Sequence, residues 1–210
     1  MVDDPPVILV ATQNPGKLSE VQAILGELGV SFVTLASFER LAEAVEDGET
    51  FLANAEAKAR HYSELTGKWA LADDSGLEVD ALEGEPGVHS ARYAGPGRDD
   101  SANNAKLVAA LAGVPPEART ARFRCAMALA AGQRIVATAE GVIEGLIVDR
   151  PCGEHGFGYD PHFFVPQYRV TTAQMSPEQK NRLSHRGQAL RAIAPAIRRG
   201  LAQKGAWLQG

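Results

Sequence analysis

Residues 7–11, Val-Ile-Leu-Val-Ala, form an unbroken apolar run of strand length. Such a run suits a strand buried on both faces. Thr12-Gln13-Asn14-Pro15-Gly16-Lys17 follows with the composition of a loop. Leu18, Val21, Ala23, Ile24, Leu25 and Leu28 then recur at helical spacing, and Gly29 stops that helix. Residues 31–37 read as the next strand. The chain thus opens β-loop-α-β, the unit of an α/β fold. A second helix is predicted over 50–66, with Thr50 as its N-cap and Gly67 just beyond it. Residues 69–72 are a short strand ending in Asp73-Asp74-Ser75-Gly76, and residues 77–82 resume as strand.

Residues 83–97 are rich in Gly and Pro and read as loop; 101–112 read as helix. Residues 123–131 and 134–148 read as two long strands joined by a turn, an antiparallel hairpin. A glycine-rich loop covers 151–161 and a short strand 162–165. Ser176-Pro177-Glu178-Gln179 has the form of a capping box with proline at the first helical position. Residues 187–204 are mostly helical, with Pro195 expected to kink or break the helix. There is no internal repeat, low-complexity tract or linker. A parallel opening and an antiparallel middle require a mixed sheet. The expectation is one α/β domain over 1–210: a long mixed β-sheet flanked by helices, in two lobes around a central substrate cleft.

Composition narrows the function. The 210 residues are 45% hydrophobic and 22% charged, the balance of a soluble globular protein. A net charge of -5 argues against a nucleic-acid-binding surface but not against a nucleotide met by a few focused lysines. Cys125 and Cys152 form no C-x-x-C pair, which disfavours a zinc or redox motif; two free thiols in a reducing cytoplasm is the simpler reading than one disulfide. The opening Met-Val-Asp-Asp-Pro-Pro lacks the features of a signal peptide, and no apolar stretch is long enough to cross a bilayer. A cytoplasmic protein with no membrane partner is expected.

Several segments carry candidate chemistry. The loop before the first helix would place backbone N–H groups and Lys17 where a phosphate binds. It is not a P-loop: Ala11 stands at the first glycine and Leu18 at the magnesium-binding Ser/Thr. An ordinary turn with a surface lysine remains the alternative. Asp73 and Asp74 end an apolar strand, where carboxylates are costly unless paired or bound to a cation. Magnesium takes such hard oxygen ligands together with phosphates. A carboxylate can also orient the attacking water, although an aspartate pKa of about 3.9 must rise for it to act as a base. Neighbours in a strand face opposite ways, so only one of the pair should face a given site. Lys58 projects from the inward face defined by Phe51, Ala55 and Tyr62, beside Asn54. It either snorkels out or reaches a carboxylate or phosphate.

Gly156-Phe157-Gly158-Tyr159-Asp160-Pro161 sets aromatics among glycines, so a base could stack on Phe157. Ser184-His185-Arg186-Gly187 offers planar donors between two helical stretches, with Lys180 one turn earlier. No H-E-x-x-H or G-x-S-x-G motif is present.

Taken in order, the motifs resemble the inosine/xanthosine-triphosphate pyrophosphatase family, the house-cleaning purine nucleotide hydrolases. Ala11-Thr12-Gln13-Asn14-Pro15-Gly16-Lys17 is similar to the family's A-T-x-N-x-x-K loop. Thr50-Phe51, Asn54-Ala55 and Lys58-Ala59 are similar to its T-F-x-x-N-A-x-x-K-A helix. Ala72-Asp73-Asp74-Ser75-Gly76-Leu77 resembles its acidic motif and Ser90-Ala91-Arg92-Tyr93-Ala94-Gly95 the loop after it. Phe157-Gly158-Tyr159-Asp160-Pro161 and Ser184-His185-Arg186 resemble its base-recognition segments. One departure is Ala53, where the family often has glutamate.

The resemblance implies a magnesium-dependent hydrolysis of ITP, dITP and XTP to the monophosphate and pyrophosphate. Asp74 would accept the proton of the attacking water and bind magnesium with Glu46. Asp73 would support rather than catalyse. Thr12, Gln13, Asn14, Pro15, Gly16, Lys17 and Lys58 would hold the triphosphate, and Ser75 would contact substrate. Phe157 would stack on the base, with Gly158, Tyr159, Asp160, Lys180, His185 and Arg186 around it. A homodimer is implied as well. The alternatives are a nucleotide sensor without turnover and a pyrophosphatase for modified pyrimidine nucleotides.

Overall fold

The structure is a computed structural model and describes residues 6–202. The opening Met-Val-Asp-Asp-Pro and the expected helical residues 203 and 204 lie outside the described residues. Seven strands form one mixed sheet in the order β2-β1-β3-β4-β5-β6-β7. Strand β1 (Val7–Val10) pairs in parallel with β2 (Ser31–Thr34) on one side and β3 (Trp69–Val79) on the other. Flanked on both edges, its apolar run is buried: Ile8 and Leu9 are fully covered. Each such side chain contributes about 1.5–3 kcal/mol. Strand β4 (Thr120–Ala131) and β5 (Arg134–Ile147) are the expected long hairpin. The two short strands β6 (Phe163–Val165) and β7 (Val170–Thr171) complete the sheet in antiparallel pairing.

Five helices accompany the sheet among the described residues. Helix α1 (Pro15–Leu25) is capped by the Asn14 side chain, and α2 (Phe51–Thr66) by Thr50, with Gly67 ending it at φ +64. Helix α3 (Asp100–Ala110) is capped by Asp99. Helix α4 (Pro177–Leu183) is capped by Ser176, which accepts from Gln179 N, and is followed by α5 (His185–Ala202). None of these helices is long and apolar enough to cross a membrane.

The chain divides into two compact units. One comprises the residues up to Asp74, Cys125–Glu140 and the residues from Arg186 on; the other comprises Ser75–Arg124 and Gly141–His185. Each has its own core. The first gathers Ile8, Val21, Leu25, Met127, Leu190, Ile193 and Ile197. The second gathers Leu77, Leu107, Leu111, Phe123, Ile147, Phe163 and Met175. The burial of β4 follows this division: residues alternate up to Arg124, then run buried without interruption from Cys125 to Ala130.

Several expectations shift. Strand β2 ends at Thr34, and Leu35–Ser37 turns as a 3-10 helix. Strand β3 does not stop at the acidic pair but runs straight through it to Val79; partners neutralise the carboxylates, so the pair needs no solvated turn. Helix α5 begins at His185, two residues early. It is also not broken by Pro195. The interior proline costs about 3 kcal/mol, but the buried Leu190, Ile193 and Ile197 outweigh it at about 1.5–3 kcal/mol each.

Candidate active site

In the first unit a charged cluster forms around β3. Because β3 is continuous, Asp73 and Asp74 point to opposite faces and meet different partners. Asp73 is buried. Its Oδ2 lies 2.8 Å from Lys17 Nζ and accepts from Arg186 Nε at 3.3 Å and Nη2 at 3.2 Å. Burial alone would push its carboxyl up, but Lys17, Arg186 and Lys58 outweigh that and hold it well below the usual carboxylate range. Asp74 accepts from Asn54 Nδ2 at 2.9 Å. Burial raises its pKa; the Asn54 bond and Lys58 offset part of the rise, and the charges of Glu46 and Asp73 add to it.

Lys58 resolves as the lysine that reaches inward. It is buried on α2, donates to the Asp73 carbonyl at 3.1 Å and pairs with Glu46 at 2.6 Å. Glu46 sits on an irregular segment that α2 fixes turn by turn. His61 Nε2–H donates to Ala42 O at 2.8 Å, and Tyr62 Oη accepts from Ala44 N at 3.3 Å. Asn54 accepts from Gly48 N at 2.8 Å and donates back to Gly48 O at 3.4 Å. Positions 54, 58 and 61/62 share one face of a helix, so a single face holds the whole segment.

Asp74 feels the charge of Glu46, so two hard-oxygen carboxylates act on the same region. Among the described residues no group of three or more His, Cys, Asp or Glu converges as a metal cage. Two carboxylates, with phosphates completing the shell, fit magnesium's usual mode of binding.

The loop at α1 is ordered by its own side chains. Thr12 Oγ1 accepts from Asn14 N at 3.0 Å; Asn14 Oδ1 accepts from Gly16 N at 2.8 Å and Lys17 N at 3.4 Å. Gln13 and Pro15 are exposed. The Lys17 side chain keeps 20% exposure despite its ion pair with Asp73. A cavity of about 450 Å³ lies beside this loop, lined by Thr12, Gln13, Asn14 and Pro15 with Phe38 and Tyr62. None of Lys17, Lys58, Asp73 or Asp74 lines it, so the charges converge elsewhere.

The second unit carries the aromatic loop. Asp160 is buried and organises it. Its Oδ2 accepts from Phe157 N at 2.8 Å and Lys180 Nζ at 2.6 Å, and its Oδ1 from Thr172 Oγ1 at 2.8 Å. The Lys180 ammonium lies 5.0 Å from the centre of the Phe157 ring. Tyr159 donates its hydroxyl to Ser90 O at 2.8 Å, and burial pushes that hydroxyl's pKa up. His185 is buried and stacks on Phe123 at 5.0 Å. Ser75, half-buried, is the first residue of this unit.

Gly156 lets the Asp160–Lys180 pair close against the backbone. It has φ +84, and an added Cβ would collide with Asp160 Oδ2 and stand 2.9 Å from Lys180 Nζ. Gly156→Ala is therefore expected to break the pair and destabilise the protein by about 1–3 kcal/mol, read as a fall in the thermal midpoint.

Arg186 joins the charged cluster around β3. It belongs to the first unit, is 2% exposed, and spends its donors on Asp73 and, at 2.8 Å, on Glu20. Sequence reasoning missed Glu20 and Thr172; Glu20 follows Lys17 by one helical turn, the only local sign of its place. Asn54, given no role of its own by the sequence, bridges the Glu46 segment and Asp74.

Comparison with known proteins identifies the family. The sequence profile described as the Ham1 family matches residues 8–196. The chain is 50% identical over 192 residues to the dITP/XTP pyrophosphatase of Desulforamulus reducens, covering 91% of this chain and 96% of that one. It is 51% identical over 185 residues to the protein of that name from Geobacter sulfurreducens, covering 87% and 92%. Among solved structures, a HAM1 protein from Coxiella burnetii superposes with a TM-score of 0.84 at 41% identity, covering 91% of this chain and 98% of that one. A nucleoside-triphosphatase / dITP/XTP pyrophosphatase from Mycobacterium abscessus gives 0.73 at 43% identity, covering 91% and 99%. With most of its length matched and the same mixed α/β architecture, this chain belongs to the Ham1 family.

Proposed function

We propose that this protein is a nucleoside-triphosphate pyrophosphatase that converts dITP, ITP and XTP to the monophosphate and pyrophosphate. Relatives about half identical over most of their length bear the name dITP/XTP pyrophosphatase. The observation that carries the reading is the acidic pair on β3. Two adjacent aspartates have environments that push their proton affinities apart, which is how acid–base roles are divided in a site. Asp73, held ionised by three cations, anchors Lys17. Asp74, raised, accepts the proton of a water that it orients toward the α-phosphorus. The water oxygen bonds to that phosphorus, the bond to the bridging oxygen breaks, and pyrophosphate leaves.

Lys17 and Lys58 present positive charge to the triphosphate, and the loop from Thr12 to Lys17 frames it. Magnesium held by Glu46 and Asp74 would add charge stabilisation at the phosphate oxygens. Phe157 stacks on the purine while Lys180 and His185 supply donors for the 6-oxo group, a match adenine lacks. Arg186 acts through Asp73. A homodimer in the cytoplasm completes the proposal; both cysteines are free thiols, which suits that compartment.

The test is a substrate panel. Purified protein with magnesium is given ITP, dITP, XTP, GTP, ATP and dUTP separately, and pyrophosphate and orthophosphate are measured. Pyrophosphate from the first three, with little from the others, is expected. Orthophosphate instead would reject attack at the α-phosphorus, and turnover of dUTP alone would reject the purine site.

A further inference from the structure

Helix α3 carries no residue assigned to the reaction, yet it grips the loop that bears Phe157. The Gly158 N–H donates to Asp100 Oδ2 at 2.7 Å, and the Gly158 carbonyl accepts from Asn104 Nδ2 at 2.9 Å. Asp100 and Asn104 are one helical turn apart, so both polar groups of a single residue are fixed by one face of one helix. Gly158 has φ +62, a conformation a side chain would strain.

The Asn104 amide can face only one way. Turned over, its oxygen would oppose the Gly158 carbonyl. In the orientation adopted, Asn104 Oδ1 is buried with no hydrogen-bond partner among the described residues. The orientation is thus set by the donor contact to the Gly158 carbonyl. The same helix also holds the 90–95 loop: Asn103 accepts from Ala94 N at 2.7 Å and donates to Ala91 O at 3.2 Å.

We infer that Asp100 and Asn104 are positioning residues that preorganise the Phe157 ring for a purine base by clamping the Gly158 peptide from both ends. This rests on the reading of Phe157 as the base platform. A ring held before substrate arrives loses less freedom on binding, so the clamp acts on affinity for the base and leaves the phosphate chemistry alone.

The full-length enzyme tests this with ITP as substrate. Asn104→Ala removes the donor and also the orphaned acceptor. It should raise KM about fivefold with kcat within about twofold, and the thermal midpoint should not fall. Asn104→Asp, which opposes an oxygen to the carbonyl, should raise KM further. Asp100→Ala should raise KM while Asp100→Asn, which keeps an oxygen acceptor, should stay near wild type. In a Phe157→Ala background neither Asn104→Ala nor Asp100→Ala should change KM again. Equal effects in both backgrounds, or an Asn104→Ala enzyme with unchanged KM beside a Phe157→Ala enzyme with raised KM, would overturn the clamp alone. A Phe157→Ala enzyme with unchanged KM would overturn the base platform and the clamp together.

Discussion

Asp74→Asn is expected to lower kcat by about 10³-fold, within the range lost with a general base, while leaving the fold at least as stable. The two halves of this result come from one environment. The carboxyl is raised because burial and two neighbouring negative charges disfavour its ionised form. A neutral amide removes that penalty and can still accept from Asn54 through its oxygen. Activity lost without loss of the thermal midpoint would mark a group kept for chemistry. A parallel fall of both would mean that Asp74 is structural.

The second large effect is expected at Arg186. It is fully buried and bridges Asp73 and Glu20. Arg186→Met keeps much of the volume but takes the guanidinium away from both carboxylates, and removing one member of a buried ionic network typically costs about 3–5 kcal/mol. Chemical denaturation at neutral pH would read this loss. The pH dependence has a definite sign. Asp73 is depressed in the folded protein, so its contribution is present above the unfolded value near 3.8 and is lost as pH falls below it. The gap between wild type and Arg186→Met should therefore narrow as pH drops below about 4. A gap that stays constant would mean that Arg186 stabilises by packing.

Much of this was legible in the chain. The buried strand at 7–11, the cap at Thr50 and the stop at Gly67 follow from periodicity and local cap chemistry, which operate within a few residues. Lys58 betrayed itself by standing on an apolar face. The failures share a different cause. Strand β3 runs through Asp73-Asp74 because cations from α1, α2 and α5 neutralise the pair, and no local rule foresees partners so far away. Arg186 read as a planar donor, but its carboxylate partners, Asp73 and Glu20, lie 113 and 166 positions back, beyond any local rule. Asp100 and Asn104 were unremarkable polar residues on a helix until Gly158 came to rest against them. Pro195 obeyed its propensity in cost but not in outcome, since buried apolar side chains on both sides of it carried the helix through.

The charged cluster also divides by reach along the chain. Gly48 and Asn54 are six positions apart and Ala42 and His61 nineteen, so the segment bearing Glu46 is fastened by short-range contacts. The Arg186 pairs give nothing until the long loops between them close. A nascent chain that has not yet delivered Arg186 can fasten the Glu46 segment to its helix, but it holds Asp73 without the guanidinium. The anchor that keeps this carboxylate ionised is thus completed only once α5, far downstream of Lys17 and Lys58, has been made.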